Sequence, residues 1–391
     1  MVTLFSNVQI YTESGLIKGS LVVKDKVIDA IHENDIPLPS FSDAIVLTFP
    51  ETYHVVPGFI DLHVHGANGS DVMDGTEEAF ANISATLAKE GTTSFLATTM
   101  TAGADETAAV LMALRYYIEN NHTAGARMLG IHLEGPFLSS KKVGAQPLDK
   151  ILNPQMDLIE DWHELTNELI RLVTLAPELT DSLELIEFLK ANNIVASIGH
   201  TNATYAETIA AIDAGCSYAT HLFNAMRGIH QREPGAVTAA LLSDQVTAEL
   251  ILDGHHLHPA IVQLALKVKT MKSLVLVTDS MRAKCLKNGV YDLGGQAVTV
   301  KNSMATLADG TLAGSVLTMN GALRNLIQFT GCSLKEALQM VSENPAKKMG
   351  VFDRKGSIAL HKDADLVVLD DELNVVATMR EGNIIFQKQS L

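Results

Sequence analysis

The stretch PGFIDLHVHG, residues 57–66, decides how the rest of the chain is read. It opens on a Pro-Gly break, runs apolar through Phe59, Ile60, Leu62 and Val64, and carries His63 and His65 at its end before Gly66. A short, nearly continuous apolar run of this kind reads as a strand covered on both faces, the pattern of a parallel sheet packed under helices. Side chains two apart on a strand point the same way, so His63 and His65 face one side together.

Seven further runs repeat the pattern: TTSFLATT (92–99), RMLGIHLEGP (127–136), IRLVTLAPE (170–178), NIVASIGHT (193–201), YATHLFNAM (218–226), AELILDGHH (248–256) and LVLVTDS (274–280). Helical patterns fill the gaps, among them TEEAFANISATLAKEG, TDSLELIEFLKANN and TYAETIAAIDAGC. Eight strand–helix units predict an α/β fold, a closed (β/α)₈ TIM-type barrel over residues 54–350. An open doubly wound sheet is disfavoured, because no glycine-rich dinucleotide loop follows the first strand. Residues 1–53 and 351–391 read differently. They hold short alternating segments such as SNVQIYT, SLVVKDKVIDAI and ADLVVLDDELNVVATMREGNIIFQ, the last with three strands joined by polar turns. Neither end makes a stable sheet alone, so the two are expected to meet in one small β-sandwich domain flanking the barrel.

Composition narrows the function classes. The 391 residues are 47% hydrophobic and 19% charged, enough to bury a large core and a smaller partner domain. A formal net charge of −16 repels nucleic acid and anionic membranes, so an anionic substrate needs a local basic pocket. The opening MVTLFSNVQIYTESG is polar by its sixth residue, and no run approaches the roughly 18 apolar residues of a membrane span. Cys216, Cys285 and Cys332 are odd in number and form no CxxC pair, so reduced thiols in a cytoplasmic protein are expected. The 14 histidines are the compositional oddity.

Those histidines cluster at strand ends. The first run ends in His63 and His65, the third in Glu134, the fifth in His200, the sixth in His221, the seventh in His255 and His256, and the eighth in Asp279. In a barrel all of these lie on the C-terminal rim, where active sites of this fold are built. One histidine at a strand end is usually structural; this many equivalent positions point to a metal site of Zn, Fe or Mn type. Six ligands exceed the needs of one tetrahedral ion. Two ions sharing Glu134 divide them, with His63 and His65 on one and His200 and His221 on the other. Asp279 can accept a proton from metal-activated water and deliver it to a departing amine, or it can serve only as a ligand or a helix cap. Hydrolysis of an amide or related C–N bond is the reaction this array serves best.

In order along the chain, PGFIDLHVHG, HLEGPFL (132–138), GHT (199–201), THLFNAM (220–226), REPG (232–235), DGHH (253–256), TDSM (278–281) and LAGSVLTMN (312–320) resemble the N-acetylglucosamine-6-phosphate deacetylase family of the amidohydrolase superfamily. The resemblance implies hydrolysis of N-acetylglucosamine 6-phosphate to glucosamine 6-phosphate and acetate. It implies that Glu134, His200 and His221 bind the catalytic metal and that Asp279 is general base and acid. Asn224 and Ala225 would meet the phosphate, His256 the sugar, and Met319 would belong to the substrate set. Arg232 would reach the phosphate of a neighbouring subunit's substrate across a homodimer interface. Some members lack the HxH pair and hold one metal; this chain keeps it, which implies two divalent ions per subunit. Many members carry a histidine in the loop after HLEGPF; here that loop reads KKVGAQP, which leaves Gln146, or no side chain at all, for the contact. His132 is either support for Glu134 or an ordinary core residue. The nearest rivals are other amidohydrolases, such as a dihydroorotase-like enzyme or an N-acyl amino acid deacetylase, and, in a different class, a non-catalytic scaffold relative. Cyclic-amide members bridge their metals with a lysine on the fourth strand, and IRLVTLAPE has none.

Overall fold

In the computed structural model, which describes residues 1–33, 44–120 and 124–388, eight parallel strands follow one another in sequence order around a barrel. They are β1 (Phe59–Val64), β2 (Thr92–Thr99), β3 (Arg127–Glu134), β4 (Ile170–Leu175), β5 (Val195–Ile198), β6 (Tyr218–Ala219), β7 (Thr247–Leu250) and β8 (Leu274–Leu276). Every residue of β1 and β2 is buried, the polar Asp61, His63 and threonines included, as a strand covered on both faces requires. β1 pairs with β2 on one side and on the other meets the segment leaving β8. There the Asp279 N–H donates to the His63 carbonyl at 2.9 Å and the His65 N–H to the Ser280 carbonyl at 2.9 Å. The seam that closes the barrel therefore runs through three of the residues singled out for chemistry.

Helices cover the outside where the sequence places them. Glu77–Ala88 starts at Thr76, whose hydroxyl accepts from the Ala79 N–H, and Tyr205–Ala214 starts at a Thr204/Glu207 capping box. Inside the barrel, beneath the rim, hydroxyls form a satisfied polar layer. Thr174 and Thr220 are 2.7 Å apart, Ser197 and Thr220 2.6 Å, and His132 Nε2 lies 2.7 Å from Thr174.

The two chain ends do meet, as expected, in one small β domain with its own core. Five N-terminal strands, Val2–Tyr11, Leu16–Lys24, Val27–Glu33, Ile45–Thr48 and His54–Pro57, join Leu366–Leu369, Val375–Arg380 and Asn383–Gln387 in one mixed sheet of eight strands. The reason is His54–Pro57. It lies between Val2–Tyr11, to which it is parallel, and Leu366–Leu369, to which it is antiparallel, so the two ends share one sheet, and residues of both, among them Phe5, Ile10, Leu366 and Val376, pack in one core. The same strand moves the expected domain boundary. Residues 54–57 belong to the terminal sheet, and the barrel begins at Phe59 beyond Gly58, where a Cβ would collide with the Thr93 side chain. A three-stranded meander, Gly289–Leu293, Gln296–Lys301 and Met304–Thr306, follows β8 and leans on the loop after β3 through Gln296 Nε2, 2.6 Å from the Ala145 carbonyl.

Candidate active site

The strand ends converge. His63, His65 and Asp279 form one buried triad and Glu134, His200 and His221 another, the donor atoms of each lying within 4.8 Å of one another. Glu134 stands between them. Its Oε1 is 3.2 Å from His200 Nε2, 3.1 Å from His221 Nε2 and 3.6 Å from His63 Nε2, while Oε2 is 3.2 Å from His65 Nε2. Asp279 Oδ1 lies 3.5 Å from His63 Nε2 and 3.4 Å from His65 Nε2. Aiming these groups inward bends the backbone at the rim: His200, His221, Ala225 and Asp279 all have positive φ, at 45, 31, 50 and 48°. Each such non-glycine residue costs about 1–2 kcal/mol, a strain the surrounding packing must hold.

The donor set fits divalent cations. His200 Nδ1 donates to the Lys142 carbonyl at 3.0 Å, so neutral His200 presents a lone pair at Nε2. That lone pair faces the Glu134 carboxylate and the Nε2 of His221, 3.1 Å away, and His63 and His65 oppose their Nε2 atoms at 3.2 Å. Acceptors crowded in this way require a proton or a metal between them. Protons are favoured in the polypeptide alone. Burial pulls His63 and His65 down, but Asp279 and Glu134 outweigh it, leaving His63 well above its ordinary value and His65 pushed up to about 9. Conversely, burial pushes Glu134 and Asp279 up, and the imidazoles, His63 first, hold both carboxyls below the usual carboxylate range. Imidazole and carboxylate oxygen together suit Zn, Fe or Mn.

A cavity of about 460 Å³ opens over both triads, a size suited to a small ligand. Asn224, Ala225, Gln146 and His256 line it, with Lys141 and Lys142 supplying positive charge. His256 Nδ1 is 2.7 Å from Asp253 Oδ2; burial lowers this imidazole, and Asp253 more than reverses that. The Gln146 side chain is committed: Nε2 donates to Glu134 Oε2 at 2.7 Å, and its carbonyl accepts from the Thr101 N–H at 2.9 Å. Met319 is placed elsewhere, fully buried in the first turn of helix Met319–Thr330 and outside the cavity wall. Arg232 is exposed on the loop before helix Gly235–Leu242 and does not border the cavity. Its neighbour Glu233 makes no ion pair with it, accepting instead from the N–H groups of Tyr205 and Gly235. His255 is exposed. His132 is a core residue, packed edge-on to His63 at 4.7 Å and kept well below its ordinary value, first by burial.

Two buried acids went unread in the sequence. Asp61 accepts from Thr278 Oγ1 at 2.6 Å and from the N–H groups of Thr278 and His63, tying the end of β8 to β1. Glu249, in the middle of β7, reaches the Nδ1 of His63. A carboxylate inside an apolar run, as in FIDLHV and AELIL, is the signal that marks such residues.

Comparison with known proteins agrees with this geometry. Residues 54–385 match the amidohydrolase family model. The chain is 44% identical to N-acetylglucosamine-6-phosphate deacetylase of Bacillus subtilis (strain 168), over 98% of this chain and 97% of that protein. It is 35% identical to N-acetylgalactosamine-6-phosphate deacetylase of Escherichia coli O157:H7, over 96% and 97% of the two. Among solved structures, a mutant N-acetyl-D-glucosamine-6-phosphate deacetylase from Mycobacterium smegmatis, in complex with N-acetyl-D-glucosamine-6-phosphate, superposes with a TM-score of 0.90 at 34% identity, covering 99% of each chain. The barrel, its rim of imidazoles and acids, and likeness along nearly the whole length make this chain a member of the N-acetylglucosamine-6-phosphate deacetylase family of amidohydrolases.

Proposed function

We propose that the chain hydrolyses the acetamido group of N-acetyl-D-glucosamine 6-phosphate, releasing D-glucosamine 6-phosphate and acetate, with two divalent ions per subunit. The observation that carries this reading is the pair of buried triads joined by Glu134 beneath a cavity of about 460 Å³. His63, His65 and Asp279 would hold one ion and His200 and His221 the other, with Glu134 shared. Ions bound there would polarise the acetamide carbonyl and acidify water. Asp279, held ionised, takes the proton of the attacking water as its oxygen bonds to the acetyl carbon. It then gives that proton to the nitrogen as the C–N bond breaks. Gln146 keeps Glu134 in place from the cavity wall.

The remaining assignments concern the sugar phosphate. Asn224 and Ala225 border the cavity where a phosphate would enter, with Lys141 and Lys142 nearby. His256, its Nδ1 fixed by Asp253, turns its other nitrogen to the sugar. Arg232 has no carboxylate partner among the described residues, and its permanent forked charge suits a phosphate bound in the neighbouring subunit of a homodimer. Three unpaired cysteines favour a reducing, cytoplasmic setting, and no helix among the described residues is long and apolar enough to cross a membrane.

The gluco configuration is favoured over its C4 epimer by 44% against 35% identity to the relatives named for each. Metal analysis of the purified protein, paired with deacetylation assays on N-acetylglucosamine with and without the 6-phosphate and on N-acetylgalactosamine 6-phosphate, tests the whole reading. Two tightly held ions, activity lost on exhaustive chelation and preference for the phosphorylated gluco sugar are expected. Full activity in metal-free protein refutes it.

A further inference from the structure

Glu249 is fully buried in β7, and one of its oxygens serves both ligand clusters. Oε2 lies 3.0 Å from His63 Nδ1, in the first triad, and 2.9 Å from the backbone N–H of His221, in the second. The Glu249 carbonyl also accepts from the Leu222 N–H at 3.0 Å, so this residue grips the segment beyond β6 from side chain and backbone together. That segment carries the left-handed residues His221 and Phe223, with φ of 31 and 80°. Among the described residues no lysine or arginine stands at ion-pair distance from the carboxylate; His63 is its one partner of that kind. A fully buried carboxylate with no permanent cation beside it is costly, so its place needs a cause.

We propose that Glu249 is a positioning residue that sets both metal sites at once. By accepting from His63 Nδ1–H it fixes the tautomer in which Nε2 offers its lone pair to the first ion, and its negative charge makes that nitrogen a stronger ligand. By holding the His221 N–H it keeps the strained turn that aims His221 at the second ion. Glu134 would join the two ions from the cavity side, and Glu249 joins the residues that would hold them, His63 and His221, from behind.

This rests on the two-ion reading above, and its test needs no sugar. Zn²⁺ is titrated away from the protein with a competing chelator, and the visible spectrum of Co²⁺-loaded protein reports ligand geometry. In Glu249→Gln the amide oxygen can still accept from both donors but the charge is gone, so resistance to the chelator is expected to fall about tenfold; in Glu249→Ala it falls about a hundredfold, within the range for groups that orient metal ligands. The Co²⁺ spectrum shifts in both, while metal-free Glu249→Gln melts with the metal-free parent. A wild-type chelator curve and Co²⁺ spectrum for Glu249→Gln overturn the proposal, whether or not the alanine variant folds. Because no acetyl group is cleaved in the measurement, this result is independent of whether the sugar substrate has been named correctly.

Discussion

Two parts of this molecule bury clusters of acids, and they neutralise them by opposite means. Where the terminal sheet meets the barrel, the buried Lys355 reaches Asp365 at 2.7 Å and Asp363 at 3.0 Å. At the barrel mouth, Glu134, Glu249 and Asp279 pair only with imidazoles among the described residues. A lysine's ordinary pKa is about 10.4 and an imidazole's about 6.5, so near neutral pH it is the imidazole whose charge is most readily set by its surroundings. The junction is therefore complete as polypeptide. The mouth is arranged so that protons on its imidazoles can be exchanged for divalent ions, and among the described residues no lysine or arginine stands at ion-pair distance from its three acids.

Several measurements sharpen or break that contrast. The largest effect is expected from Asp279→Asn, which should lower turnover of the phosphorylated sugar by about 10²–10⁴, the usual worth of a general acid–base, while substrate still binds. Near-normal turnover in a deacetylation assay removes its role. Next is Lys355→Met, which leaves the buried Asp365 without its cation, while the half-buried Asp363 keeps Arg354 at 3.5 Å, and should cost about 3–5 kcal/mol in denaturant unfolding with metal content unchanged. A loss under about 1 kcal/mol would mean that the junction is not held by its charges. Arg232→Ala should weaken phosphorylated substrate by about 10–100-fold in KM, the range of a charged hydrogen bond, and spare the unphosphorylated sugar. Equal losses on both sugars would show that it meets no phosphate. The smallest effect is expected from Gln296→Ala, which frees the Ala145 carbonyl and the cavity loop at a cost of about 0.5–1.5 kcal/mol, read as a modest rise in KM.

Much of the barrel was legible because eight apolar runs recur with helical patterns between them, and the ligands were legible because six of those runs end in imidazoles or acids that an ordinary strand does not need. What escaped detection depends on partners distant in sequence. Nothing near Glu249 says that its carboxylate will meet His63, and period-two alternation cannot tell a sandwich from one sheet, because the pairing of Val55 with Val368 is not written in either segment. YATHLFNAM reads as a full strand, yet only Tyr218–Ala219 is one; the chain then turns through left-handed residues to aim His221. The loop position alone offers Gln146, or no side chain, to the sugar, and its bond to Glu134 emerges only when the loop is folded over the site.

The strand His54–Pro57 runs through Gly58 into β1, and its far edge is covered by Leu366–Leu369. During synthesis, then, His54–Pro57, the strand that leads into the one delivering His63 and His65, keeps a bare edge until residues 366–369 have left the ribosome. A nascent chain halted short of that point would display an unpaired β edge next to an unfinished catalytic centre, a form for chaperones and proteases to handle.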